Sequence, residues 1–391
     1  MKILYHHRTA SKDGQSTHIE EMIRAFRQHG CTVEEASPSV SQSTGDNNQS
    51  SPGWVGFLKR SLPRFAYELA ELAYSVVAYH RLVTKIESFK PDVIYERYNL
   101  YLLAGIWAKR KYGIPLILEV NSPMAIERQE YGGLSLPKLA SWLEHYVWQQ
   151  ADYVLPVTKV LAEHIAAQGV DRSRIVVIPN GINFDQYCDL PSQTEAKTRY
   201  GLQDSVVIGF TGFVREWDRL DRIVRWMAQS TFQNTHLLII GDGPAREEIE
   251  SCAAALDIAG RVTFTGAVKR EQVPAISMSF DIALQTALVP YASPLCLFEY
   301  LALGKAIVAP DQPNHHEILI NKKDALLYDP EDPQGIEKAL DILLHDETLR
   351  CRVAAEAKTV IATKGLEWKH HAERIIGLFS GLLSATSRYA K

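Results

Sequence analysis

The chain has 391 residues, of which 46% are hydrophobic and 23% are charged, and its net charge at pH 7 is −4. This length predicts two domains of roughly 150 to 200 residues, and the composition is typical of a globular protein. Because nucleic-acid-binding domains are usually strongly basic, the slightly acidic balance argues against a nucleic-acid partner.

Compartment and metal content can also be predicted from the sequence. Five cysteines are scattered without a CxxC pair or a zinc spacing, which favours reduced thiols and a cytoplasmic protein. The opening residues MKILYHH enter a strand-like run directly, so we expect no signal peptide, and no apolar run is long enough to span a bilayer. Adjacent histidines such as His6 and His7 have no third ligand at metal spacing, so no metal site is predicted.

The first half of the chain alternates strand-like and helix-like segments. KILYHH, CTVEEA, PDVIYERY, IPLILEVN, ADYVLPVT and RIVVIPN are the strand-like runs, and HIEEMIRAFRQHG is an amphipathic helix. Strands that alternate with helices predict a parallel, doubly wound sheet.

One segment interrupts this alternation. Residues 37–53 are polar and rich in Ser and Asn, which predicts a loop. Apolar residues then recur at helical spacing: Leu62, Phe65, Leu69, Leu72 and Val76. This spacing favours a helix whose apolar face joins the core. Alternatively, residues 54–65, which include basic side chains, form a peripheral contact with the anionic inner face of a membrane.

The second half repeats the alternation with the strand-like runs SVVIGFTG, THLLIIGDG, RVTFTG, DIALQTA and KAIVAP. We therefore expect two Rossmann-like domains with a cleft between them and a boundary near residue 190. Ligands of open α/β sheets bind beyond the carboxyl ends of the strands, so the residues that follow each strand are the candidates for function.

Two turns after strands carry phosphate-binding features. In Gly241-Asp242-Gly243 the glycines allow a phosphate to approach the backbone, although many purely structural turns have the same sequence. The third glycine of a dinucleotide fingerprint is replaced by Arg246, which disfavours a nicotinamide cofactor.

The other turn begins at Gly212, and Arg215 and Arg219 follow it. Two guanidiniums match a diphosphate in charge and geometry. The alternative is a solvated helix start in which Asp218 and Asp221 neutralise the arginines.

The stretch SPLCLFEY combines a helix start with a lone acid. Ser293 suits the helix cap and Pro294 the first turn, which leaves the amides of Leu295 and Cys296 as an anion site. Glu299 lies about one turn further on, where a carboxylate is able to accept hydrogen bonds from a ribose diol.

The order of GFTGFVREW, LLIIGDGPAREEIE, VTFTGAVKREQVPA and SPLCLFEYLALGKAIV resembles family 4 glycosyltransferases of the GT-B fold, and DGQSTHIEEMIRAFRQHGCTV agrees with the family's N-terminal half. The resemblance implies an acceptor-side domain over 1–190, a nucleotide-sugar-binding domain over 191–366, and a final helix over 367–391 that returns to the first domain. It further implies a retaining, polysaccharide-type transferase that uses a UDP- or GDP-sugar without a required metal. The acceptor would be a glycan, a lipid-linked molecule or a small molecule.

By resemblance, Glu299 holds the ribose and Arg215, with Arg219, stabilises the pyrophosphate. The backbone at Val268 and Lys269 contacts the base.

In the first domain, the loop at Gly14 and Gln15 closes over the diphosphate, and His18 begins the helix behind it. Arg97, Glu119 and Asn121 are assigned to the acceptor side. The alternative for Arg97 and Glu119 is a structural ion pair at adjacent strand ends.

The chain departs from the family pattern at several positions. Tyr291 stands where a glutamate is common, and Cys296 where a lysine is usual. Asp218-Arg219 replaces a Lys-Gly pair, and Glu119-Val120-Asn121 stands where many members carry a histidine. Two other functions therefore remain as alternatives. One is a nucleotide-sugar 2-epimerase of the same architecture, and the other is a catalytically weak nucleotide-sugar-binding protein.

Overall fold

The computed structural model of the chain describes residues 1–9, 14–38, 63–286 and 289–389. Contacts divide the chain into two compact units. The first contains Met1–Pro179, Tyr291–Ser293 and Trp368–Lys391, and the second contains Asn180–Pro290 and Pro294–Glu367. Apart from the short segment Tyr291–Ser293, the chain changes unit at 179/180 and at 367/368, whereas the predicted boundaries are at 190/191 and 366/367.

The first unit is built on a five-stranded parallel sheet of order β2-β1-β3-β4-β5, as the alternation predicts. Its strands are β1 (Lys2–His6), β2 (Thr32–Ala36), β3 (Val93–Arg97), β4 (Leu116–Val120) and β5 (Tyr153–Pro156). The central strands β3 and β4 are buried along their whole length, which is typical of a parallel sheet covered by helices on both faces.

The described residues of the first unit form the helices α1 (Gly14–Gln28), α2 (Arg64–Phe89), α3 (Ala104–Tyr112), α4 (Met124–Glu127), α5 (Pro137–Gln150), α6 (Lys159–Ala167) and, at the end of the chain, α15 (Trp368–Tyr389). A short π-helical segment, Arg128–Gly132, continues α4. Helix α15 packs on α1, with Trp368, Ile375 and Phe379 buried, so the last helix contributes to the core of the first unit.

The second unit has a six-stranded parallel sheet of order β11-β10-β9-β6-β7-β8. Its strands are β6 (Val206–Thr211), β7 (Thr235–Ile240), β8 (Val262–Phe264), β9 (Ile282–Leu284), β10 (Ala306–Pro310) and β11 (Leu326–Tyr328). Its helices are α7 (Gln193–Thr198), α8 (Leu220–Gln229), α9 (Arg246–Ala255), α10 (Val273–Ser277), α11 (Leu295–Ala302), α12 (Pro313–His316), α13 (Gly335–His345) and α14 (Glu347–Lys364). Both sheets therefore have the predicted parallel arrangement.

The orientation predicted for helix α2 is wrong. Phe65, Leu69 and Val76 were expected in the core, but they are 52%, 46% and 48% exposed. The buried face instead carries Glu68 and Glu71. These acids can be buried because they have partners elsewhere in the chain.

Those partners satisfy the two carboxylates. Glu68 accepts hydrogen bonds from the hydroxyl of Tyr101 (2.9 Å) and from the amide of Ser135 (2.6 Å). Glu71 forms a bidentate ion pair with Arg128. Leu62 and residues 54–62 of the predicted membrane patch lie outside the described residues, as does most of the predicted loop 37–53. Within the described part of the chain, no helix combines the length and apolarity needed to cross a membrane.

Candidate functional site

The lone acid of SPLCLFEY, Glu299, lies on helix α11 and is only 8% exposed. Arg270 forms an ion pair with it, since the Nη2 atom of Arg270 lies 3.6 Å from Glu299 Oε1. Burial raises the pKa of the Glu299 carboxyl, and the positive charge of Arg270 partly opposes that rise. Glu299 is therefore a desolvated carboxylate with one long ion pair and with capacity to accept further hydrogen bonds.

The start of α11 differs from the prediction in one respect. Its N-cap is Pro294 and no side chain caps it, so the expectation that Ser293 is the cap is wrong. Proline has no side-chain oxygen, and Ser293 is one residue too early in the chain. The absence of a side-chain cap leaves the first-turn amides, which include those of Leu295 and Cys296, suited to an anion.

The loop after β6 exposes Arg215 among aromatic rings. Its guanidinium carbon lies 4.9 Å from the ring centroid of Trp217 and 5.2 Å from that of Phe213. Both rings are themselves exposed, 57% for Trp217 and 47% for Phe213. Stacking on aromatic rings holds a guanidinium in place while leaving its N–H edges available.

Asp218 and Asp221 form no direct ion pair with these arginines among the described residues. Asp218 is buried, and it accepts hydrogen bonds from the amide of Arg215 and from the hydroxyl of Thr286, both at 2.8 Å. Burial raises the pKa of the Asp218 carboxyl, and the charge of Arg215 partly opposes that rise. Asp221 pairs with Arg225 at 3.6 Å. Arg219 is exposed and begins α8 with a left-handed backbone, φ +51°.

The glycines of the Gly241-Asp242-Gly243 turn have a structural explanation. A Cβ atom on Gly241 would lie 1.9 Å from the carbonyl oxygen of Gly212, and one on Gly243 would lie 2.1 Å from that of Val214. The two loops also share backbone hydrogen bonds, such as Val214 N–H to the Asp242 carbonyl at 3.0 Å. Glycine is therefore required here because two backbones pack against each other.

The segment predicted to contact a base carries a residue that the sequence reasoning missed. Val268 packs partly against the core and Lys269 is exposed. Lys269 precedes the 3-10 turn Arg270–Gln272, which brings Arg270 to Glu299. In the sequence, Arg270 was visible only as one more basic residue in VKRE, directly after the predicted base-contacting residues Val268 and Lys269.

Cys296, at the position where a lysine is usual, is an inert thiol. Its Sγ atom donates to Gln285 Oε1 at 3.2 Å. Burial raises the pKa of this thiol to about 12, so it is not a thiolate at neutral pH. Tyr291, at the other unusual position, belongs to the first unit and donates its hydroxyl to Glu127 Oε1 at 3.1 Å.

In the first unit, most of the residues assigned to the acceptor side form one buried network around Glu119, which is 3% exposed. The network joins strand ends and helix α1. Glu119 accepts hydrogen bonds from Arg97 Nη1 at 2.5 Å, from Asn121 Nδ2 at 2.7 Å, and from the hydroxyls of Tyr95 at 3.0 Å and Tyr5 at 3.3 Å. His18 Nε2 lies 2.8 Å from Glu119 Oε2.

Burial alone would raise the pKa of the Glu119 carboxyl, but the neighbouring His18 and Arg97 and the hydrogen bonds it accepts hold that pKa well below the usual range. Arg97 and Glu119 thus form the ion pair at adjacent strand ends that the alternative describes, and their role on the acceptor side stays a prediction. An epimerase would need carboxylates and histidines that are free to reach a sugar, but this Glu119–His18 pair is buried and mutually engaged. Gly14 and Gln15 are the first two residues of α1 rather than part of a loop.

Comparisons with known proteins define the family. Residues 13–181 match the glycosyl transferase 4-like domain, and residues 192–360 match glycosyl transferases group 1. The D-inositol 3-phosphate glycosyltransferase of Xylanimonas cellulosilytica is 23% identical over 95% of this chain and 92% of its own length. The 2-deoxystreptamine glucosyltransferase of Streptomyces kanamyceticus is 28% identical, but that match covers only 47% of this chain and 49% of that protein.

A solved structure with the same fold is Anabaena Alr3699/HepE in complex with UDP. Its TM-score is 0.74 at 17% identity, over 97% of this chain and 100% of that chain, and the same protein is also known with UDP-glucose. The chain therefore belongs to the family 4-like glycosyltransferases, and its fold is GT-B. Among the described residues, no cluster of three or more His, Cys, Asp or Glu side chains is arranged to hold a metal ion.

Proposed function

We propose that this protein transfers a sugar from a UDP-sugar to a hydroxyl group of an acceptor, with retention of configuration at the sugar. The observation that carries the proposal is the buried carboxylate of Glu299 about one helical turn after the uncapped start of α11. An uncapped helix start attracts a phosphate, and a carboxylate on the same side accepts hydrogen bonds from a ribose diol. The choice of UDP is supported by the complexes of HepE with UDP and UDP-glucose.

In this proposal Arg215 and Arg219 bind the diphosphate, and the Arg215 guanidinium stabilises the negative charge that develops on it. The stacking of Arg215 on Phe213 and Trp217 supports this role, because a pre-oriented cation loses little freedom on binding. Arg270 orients Glu299 toward the ribose. The backbone at Val268 and Lys269 contacts the base.

The reaction follows a same-face course. The bond between the sugar C1 and the diphosphate oxygen breaks, and a new bond forms between C1 and the acceptor oxygen on the same face. The acceptor proton passes to an oxygen of the departing diphosphate, so no protein base is needed. This course is consistent with the buried Glu119 being engaged by Arg97, Asn121, Tyr95, Tyr5 and His18.

We also propose peripheral contact with a membrane through the exposed apolar residues Phe65, Leu69 and Val76 of α2. The double variant Phe65→Ser/Leu69→Ser should bind anionic phospholipid vesicles less than the wild type in co-sedimentation. Leu256→Ser, an exposed apolar residue of the second unit, should leave vesicle binding unchanged. Equal binding by all three proteins would contradict the contact.

The transfer reaction is tested by incubating the protein with UDP-glucose and with other α-configured UDP- and GDP-sugars, together with a panel of glycan and small-molecule acceptors, in the presence of a chelator. The coupling constant of the new anomeric proton, measured by NMR, gives the configuration of the product. We expect an α-linked product, strongly reduced by Arg215→Gln and unaffected by Arg225→Gln, which removes an exposed arginine of helix α8. A β-linked product would contradict retention, and sugar conversion without an acceptor would indicate an epimerase.

A further inference from the structure

The first unit contains a small pocket beside the carboxyl end of β1. Its lining includes His6, His7, Arg8, Tyr74 and Arg81, and none of the described lining residues is a carboxylate. The enclosed space is about 10 Å³, which is room for about one water-sized group. It therefore suits a single oxygen of a charged group whose remainder stays on the solvent side, where Arg81 is exposed.

The two arginines of the pocket are positioned by one aromatic residue. The guanidinium carbon of Arg8 lies 4.8 Å from the ring centroid of Tyr74. Arg81 Nη1 donates to the hydroxyl of the same tyrosine at 3.3 Å. One ring thus orients two cations, which leaves most of their N–H groups available to another acceptor.

The positive charge of Arg8 is only partly compensated. Its Nη2 atom lies 3.4 Å from Glu71 Oε1. Glu71, however, already forms a bidentate pair with Arg128. One carboxylate is therefore shared between two guanidiniums, and Arg81 adds a further positive charge for which the described ion pairs contain no carboxylate.

Carboxylates outside the lining orient the two histidines of the pocket. His7 Nδ1 accepts the amide proton of Thr9 at 3.2 Å, so the proton on its other nitrogen, Nε2, is donated to Glu35 Oε1 at 3.1 Å. His6 Nδ1 contacts Glu96 Oε2 at 2.5 Å. The carboxylates therefore lie outside the lining and orient the imidazoles, and the net positive charge facing the pocket comes from Arg8 and Arg81.

We propose that this pocket binds an anionic oxygen group of the acceptor, either a phosphate ester or a carboxylate. The two guanidiniums held by Tyr74 are suited to charge-assisted hydrogen bonds with such a group, and the described lining contains no acid that would repel it. The claim that this anionic group belongs to the acceptor rests on the proposed transferase function, whereas the claim that the pocket binds an oxyanion does not. The two claims are therefore tested separately.

The binding test is isothermal titration calorimetry of the full chain with sodium phosphate at constant ionic strength. Because hydrogen bonds to charged groups are individually strong, Arg81→Gln and Arg8→Gln should each weaken phosphate binding about 10-fold or more. Tyr74→Phe, which keeps the ring and removes the hydroxyl that positions Arg81, should weaken it less. Arg81 is exposed, so its replacement tests the pocket even if Arg8→Gln fails to fold.

Two control variants exclude other arginines. Arg172→Gln removes an exposed arginine of the first unit that pairs with Glu163, and Arg225→Gln removes an exposed arginine of the second unit that pairs with Asp221. Both should bind phosphate as the wild type does. If the wild type does not bind phosphate or acetate, or if all variants bind them equally, the pocket is not an oxyanion site. Tighter binding of phosphate than of acetate would indicate a phosphate ester, and the reverse a carboxylate.

The acceptor test compares turnover with matched acceptors that do or do not carry a phosphate or carboxylate. Arg81→Gln should raise the KM for the anionic acceptor about 10-fold or more while leaving kcat and the KM for the neutral acceptor unchanged. Phosphate binding without any sugar transfer would support the pocket as an oxyanion site and contradict the transferase function. If the wild type and Arg81→Gln both transfer sugar to neutral and anionic acceptors with equal KM, the transferase function is supported and the role of the pocket in acceptor binding is contradicted.

Discussion

Replacing Glu299 by glutamine separates the binding role of this residue from its effect on stability. The substitution keeps the shape of the side chain and removes its negative charge. Because burial raises the pKa of the Glu299 carboxyl, the ionised form is held in the folded protein at a cost. Arg270, at 3.6 Å, offsets only part of that cost. Glu299→Gln should therefore leave the free energy of unfolding unchanged or raise it.

Donor affinity should change in the opposite direction. A hydrogen bond to a charged group contributes about 1.5–3 kcal/mol, and a ribose diol would donate two to the carboxylate. Glutamine keeps one acceptor oxygen, so the loss corresponds to about one such bond. We therefore expect the Kd of UDP to rise roughly 10- to 150-fold.

Calorimetric titration with UDP and thermal unfolding of the same samples give the two quantities. Glu271→Gln, which replaces an exposed glutamate next to Arg270, is the matched control and should change neither. Wild-type UDP affinity in Glu299→Gln would refute the ribose role. A large fall in unfolding temperature would refute the conclusion that the ionised carboxylate is held at a cost.

Three further predictions follow from the geometry. Gly241→Ala would bring a Cβ atom within 1.9 Å of the Gly212 carbonyl oxygen at φ +138°, so its free energy of unfolding in urea should fall by about 2 kcal/mol or more. Gly260→Ala, with no atom within 4 Å of the added Cβ, is its control, and equal effects would contradict the packing of the two loops. Burial raises the pKa of the Glu144 carboxyl from 4.5 to about 7, so the folded state keeps a proton that the unfolded state releases. The free energy of unfolding should therefore fall by roughly 3 kcal/mol as pH rises from 4.5 to 7. Glu144→Gln should flatten this pH dependence, and a variant that keeps the wild-type pH profile would contradict the prediction. Arg270→Gln removes the positive charge that lowers the pKa of the Glu299 carboxyl. When pH is lowered, the variant should therefore begin to lose UDP affinity at a higher pH than the wild type does. Superimposable pH profiles of the UDP Kd would contradict this coupling between Arg270 and Glu299.

The sequence was sufficient to predict the two parallel sheets, because runs such as PDVIYERY and THLLIIGDG are strands buried between helices. It was not sufficient for helix α2. Apolar spacing alone placed Phe65 and Leu69 inside, whereas Glu68 is buried because Tyr101 and the backbone at Ser135 satisfy it. Those partners are distant in sequence, so the local pattern does not contain them.

The same limit applies to the candidate site. The acid at Glu299 and the helix start before it were predicted from local spacing, and both lie on one short helix. Arg270 was missed because its contact with Glu299 depends on how the turn after β8 folds toward α11. From the sequence, the turn glycines were compatible with a phosphate-binding turn and with a purely structural turn. The structural reason became visible only from the short distance between a Cβ atom on Gly241 and the Gly212 carbonyl oxygen.

The central claim, that the second unit binds a nucleotide-diphosphate sugar through Glu299 and Arg215, is tested most directly by calorimetric titration of the protein with UDP and UDP-glucose in the presence of a chelator. The account predicts saturable binding of UDP by the wild type, weakened by Glu299→Gln and by Arg215→Gln but not by Glu271→Gln. Absence of binding across UDP, GDP and their sugars, or binding that survives both substitutions unchanged, would contradict it.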